Sequence, residues 1–85
     1  MKLTAAEKKW LADLQELLDA CPSKRLGFYT IGDPDITVYD RTKEKKIEEI
    51  QNSHDRMDYP EAVDKAGAAL DIWIKFPSHV HSVTG

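Results

Sequence analysis

The sequence predicts an α+β domain: a three-stranded antiparallel sheet with helices packed on one face. Three observations carry this. A capped amphipathic stretch opens the chain, and two β-prone runs flank Gly32-Asp33-Pro34-Asp35. Near the end, Asp71-Ile72-Trp73-Ile74-Lys75-Phe76 puts Ile72, Ile74 and Phe76 on one parity, as a half-buried strand does.

Taken in order, Thr4-Ala5-Ala6-Glu7 has the capping-box pattern, in which hydroxyl and carboxylate satisfy reciprocal backbone amides. Leu3, Trp10, Leu11, Leu14, Leu17, Leu18 and Cys21 then recur at three- and four-residue steps. This predicts an amphipathic helix over 4–20, ended by Pro22. A hairpin follows, with strands over 26–31 and 36–40. Asp40-Arg41-Thr42 offers N-cap side chains for a charged helix over 43–51, whose only apolar residues are Ile47 and Ile50. Residues 52–57 read as a loop, and Asp58-Tyr59-Pro60-Glu61 as a helix start with Pro60 in the first turn. Ala62, Val63, Ala66, Ala69 and Leu70 let that third helix pack close to a neighbour. Pro77 ends the last strand, and 77–85 is expected to be an irregular tail.

The predicted topology is therefore α-β-β-α-α-β. A right-handed helical crossover that steps over the first strand gives strand order 2-1-3. The first strand has apolar residues at both parities, which agrees with a central position.

Length and composition narrow the function. Eighty-five residues make one domain, with room for a modest core and little for a deep enzyme cleft. A single cysteine excludes an intramolecular disulfide framework and points to the reducing cytoplasm. No run is long enough to span a bilayer, and the N-terminus lacks the apolar core of a signal peptide. A net charge of −3 gives no general attraction to nucleic acid or anionic membrane.

Strand parity supplies the functional expectation. One face collects Leu26, Phe28, Ile36, Val38, Ile72, Ile74 and Phe76, and the first helix is expected to cover it. The other carries Tyr29, Ile31, Thr37, Tyr39, Trp73 and Lys75. Three aromatics on a nominally wet face exceed what solubility needs, and Tyr and Trp are enriched at interfaces. Tyr29, Ile31, Tyr39, Trp73 and Lys75 are accordingly the expected partner-binding residues. The competing expectation is that a helix or the tail simply covers them.

Motifs for chemistry are weak. His79, His81 and His54 lack the cysteine or carboxylate spacing that a zinc site requires. Cys21 falls at a helix C-terminus, where the dipole raises a thiol pKa. Asp33 and Asp35 bracket Pro34 as ordinary turn residues. No enzyme activity, cofactor or metal is expected. Arg25, Arg41 and Lys43 beside the aromatic face are the ingredients of a single-stranded nucleic-acid binder, the alternative reading. Interleaved Glu44, Glu48 and Glu49 and the acidic balance weigh against it.

Three runs carry a resemblance: Leu3-Thr4-Ala5-Ala6-Glu7-Lys8-Lys9-Trp10-Leu11, Leu26-Gly27-Phe28-Tyr29-Thr30-Ile31-Gly32-Asp33 and Phe76-Pro77-Ser78-His79-Val80-His81-Ser82. They resemble small accessory proteins of unknown function from tailed phages and prophages of enterobacteria, over most of the chain. The resemblance implies a cytoplasmic protein of a bacterial host that acts by binding a host or phage protein, or a second copy of itself. It transfers no functional residue.

Overall fold

The computed structural model describes residues 1–31, 34–53 and 57–81. The element order is α1 (Ala5–Asp19), β1 (Leu26–Tyr29), β2 (Asp35–Asp40), a 3-10 turn (Arg41–Lys43), α2 (Glu44–Ser53), α3 (Tyr59–Lys65) and β3 (Ala69–Lys75). The expected α-β-β-α-α-β sequence of elements is therefore present, with an antiparallel sheet. Gly32 and Asp33 of the hairpin turn, and His54, lie outside the described residues.

Local chemistry accounts for the boundaries. Thr4 Oγ1 accepts the Glu7 amide at 3.0 Å and Glu7 Oε1 accepts the Thr4 amide at 2.7 Å, which completes the capping box of α1. The Asp40 carboxylate accepts from the Thr42 amide at 3.0 Å and also from its hydroxyl. These bonds, the Thr42 hydroxyl foremost, hold the Asp40 carboxyl below its ordinary range. Pro60 sits in the first turn of α3, where no amide is needed. After α3, Gly67 adopts φ +72°, the left-handed conformation that ends a helix without a Cβ penalty. Its carbonyl accepts from Lys43 Nζ at 3.1 Å.

The strand order is β1-β2-β3, which corrects the expected 2-1-3. The reason lies in the connection between β2 and β3. α2 and α3 pack on each other as a helical pair, so the chain leaves the sheet and returns to the place it left. The Asp40 amide donates to the Ala68 carbonyl at 2.8 Å, closing that circuit. β3 must then run back along β2 rather than cross to β1. β2 is central, and the six-residue β2 and seven-residue β3 share a longer ladder than the four-residue β1 could offer. A bulge between Val38 and Tyr39 shifts the β2–β3 register. Asp71 lies opposite this region at φ +55°, a conformation Asp tolerates.

The core lies between the sheet and the α2–α3 pair. Tyr39, Ile47, Ala62, Val63, Ala66 and Ala68 are buried together, with Tyr29, Ile50, Met57 and Tyr59 packed around them. Small alanines let α3 approach closely, and Ile47 supplies the narrow apolar stripe of α2. Helix α1 contributes nothing to this core: it contains no buried residue. Residues 77–81 form neither helix nor strand.

Candidate functional site

Cross-strand partners define the two faces of the sheet. Tyr29, Thr37 and Trp73 lie in one row across it, and Gly27, Tyr39 and Ala69 in the next row on that face. Phe28, Val38 and Ile72 form a row on the opposite face.

Around Tyr39 the tyrosine face is covered. Tyr39 is only 6% exposed, beneath α2 and α3. Tyr29, Tyr39 and Tyr59 form a closed cluster with ring centroids 5.5–5.9 Å apart, two of the three pairs edge to face. Tyr39 Oη donates to Glu44 Oε1 at 2.9 Å. Burial first, then the neighbouring Tyr59 hydroxyl and the Glu44 carboxylate, raise the Tyr39 phenol far above its ordinary value. Gly27 lies directly under the Tyr39 ring, and a Cβ there would overlap the ring atoms. Tyr39 is thus a core residue, and Tyr29 is half-buried beside it, which removes both from the expected binding surface. Trp73 and Ile31 remain outward, 54% and 69% exposed, and Lys75 is also exposed.

The proposed nucleic-acid set is dispersed in its roles. Arg41 pairs with Glu44 at 3.3 Å, and Lys43 is engaged by Gly67. Arg25 borders a small depression of mixed character with Leu26, Asp40, Thr42 and Leu70. The tyrosine rings that would stack bases are inside the protein. Among the described residues, no group of three or more His, Cys, Asp or Glu is placed to hold a metal. His79 and His81 make an edge-on ring contact at 4.5 Å. Cys21 is exposed, its thiol donating to the Ser23 carbonyl at 3.3 Å.

The opposite face is where apolar surface is left open. Helix α1 runs over it, as its stripe predicts, but stands off; with α2 and α3 on the tyrosine side, the helices lie on both faces of the sheet and not on one as expected. An apolar cleft of about 520 Å³ separates Leu17, Leu18 and Cys21 on the helix side from Phe28, Val38 and Ile72 on the sheet. A second cleft of about 200 Å³ lies between Leu14 and Leu18 and the side chains of Ile36 and Phe76. Along α1, Leu14 alone reaches half-burial. Leu17 is 72% exposed, Trp10 53%, Ile72 53% and Phe28 48%. The expectation that α1 seals this face therefore needs correction. The connection after α1 carries its own hydrogen bonds: the Cys21 amide donates to Leu18 O, and the Arg25 amide to Ser23 Oγ.

From the sequence these residues read as core, whereas Leu17, Phe28 and Ile72 are surface in the folded chain. A signal was present. Trp10-Leu11 and Leu17-Leu18 are adjacent apolar pairs, which make the helix stripe wider than one sheet contact can cover.

Beyond the chain itself, no protein-family model matches it. Neither a curated protein nor a solved structure matches it.

Proposed function

We propose that the chain is a non-enzymatic accessory protein of phage or prophage type, working in the bacterial cytoplasm by protein–protein association. One observation carries this reading: two apolar surfaces, the α1 stripe and the Phe28–Ile72 face of the sheet, confront each other without closing. A monomeric soluble protein seldom leaves so many large apolar side chains contiguous and exposed unless something binds there. The working surface is accordingly centred on Leu17, Phe28 and Ile72, with Trp73, Ile31 and Lys75 of the first expectation outside it. Nucleic acid is the weaker reading, because its aromatic platform would need Tyr29 and Tyr39 at the surface.

The test is affinity capture from a bacterial lysate with the full chain and with Ile72→Glu, both first checked by circular dichroism. Ile72 is more than half exposed, so the charge is accommodated in the fold. Loss of the captured set with the variant supports the reading. An identical set with both overturns it.

A further inference from the structure

We infer that the occupant of the open face is a second copy of this chain, with α1 of each copy seated on the apolar sheet face of the other. This rests on the association reading above and names its partner.

Surface area is the first support. A folded monomer of 9.7 kDa is expected to expose about 5,100 Å², whereas this chain exposes 7061 Å². The excess of roughly 2,000 Å² falls in the range that each subunit of an obligate homodimer buries. Shape agrees with area. The radius of gyration is 15.8 Å, against about 12 Å for a compact domain of this length. The long axis reaches 50 Å.

The second support is that the two surfaces match each other and lie on one chain. Fifteen residues of α1 span about 22 Å, and seven residues of β3 span about 23 Å. The stripe of one copy therefore runs the length of the sheet of the other. A chain's own helix does not fill this need: the cleft between α1 and its own sheet stays open. Leu3, Trp10 and Leu11 line a separate apolar depression on α1 that no sheet residue borders. A two-fold arrangement satisfies both surfaces at once, since each copy donates a helix and accepts one. With a net charge of only −3, repulsion between copies is weak.

The test is mass by sedimentation equilibrium on the full chain from low to high micromolar concentration. The expected species is a dimer, twice the 9.7 kDa of the monomer. Leu17→Glu and Ile72→Glu, one on each surface, should each reduce it to monomer with unchanged circular dichroism. Mixing the two variants should restore the dimer, because one copy then contributes an intact helix and the other an intact sheet. Failure of the mixture to dimerise where the parent does overturns the helix exchange, as expected of two sheets stacked face to face.

A parent chain that stays monomeric overturns the proposal outright. Acrylamide quenching of Trp10 in a Trp73→Phe background then separates the two readings. Ready quenching leaves the surface open for another protein. Strong protection means that α1 has closed on its own sheet, and both readings fall.

Discussion

The two faces of this sheet are made from similar apolar stock and end in opposite conditions. On one, Tyr39 is sealed beneath Ile47, Ala62 and Val63, all within a few per cent of complete burial. On the other, Phe28, Ile72 and Ile74 confront a helix that stands off across an apolar cleft. The difference lies in the covering element. α2 and α3 are tied to the sheet at both ends of their excursion, by the 3-10 turn after β2 and by Ala68 before β3. α1 is tied to the sheet at one end only, through the connection to β1. Coverage in a small domain thus depends on how a helix is tethered as much as on its apolar stripe.

The largest effect is expected on the covered side. Tyr39→Ala should cost about 3–5 kcal/mol, the range for removing a large aromatic from a core, read as a lower denaturant midpoint. If it unfolds no more readily than the parent, the tyrosine face is not the core. The same residue makes the covered side sensitive to alkali. Because the folded state raises the Tyr39 phenol above its ordinary value of 10.0, its contribution to stability is complete below that pH and declines as pH rises above it. Denaturant midpoints at successive alkaline pH values should fall, and Tyr39→Phe should flatten the fall. On the open side, Phe28→Ala in an Ile72→Glu background should cost less than about 1 kcal/mol, since half of the ring is already in water. A cost equal to that of Tyr39→Ala would mean the two faces are alike.

Helix α1 was legible from the sequence because its determinants are local: the Thr4–Glu7 box and the spacing of Trp10, Leu14 and Leu18. Strand parity was legible for the same reason, and it sorted Phe28, Val38 and Ile72 correctly from Tyr29, Tyr39 and Trp73. What parity leaves open is which face receives which helix. Ala62, Val63 and Ala66 announce close packing without naming the surface they pack on. Gly27 opposite Tyr39 was the available clue, since a glycine beneath an aromatic ring makes room for something pressed down on it. Strand order escaped for a different reason. The mixed pattern of Leu26, Phe28, Tyr29 and Ile31 resembles a central strand, but the return path of the α2–α3 pair decided the neighbour of β3.

That return path has a kinetic consequence. The hydrogen bond from Asp40 to Ala68 closes β2, the helical pair and β3 into a continuous stretch whose contacts are mostly among themselves. Such a stretch can open and close as one cooperative unit, while α1 frays independently of it. At concentrations where the chain is monomeric, amide hydrogen exchange should therefore be slowest in the β2–β3 ladder and fastest in α1, in two separated classes rather than a continuum. A protein built this way opens one part only as a whole and leaves the other ready to change its contacts.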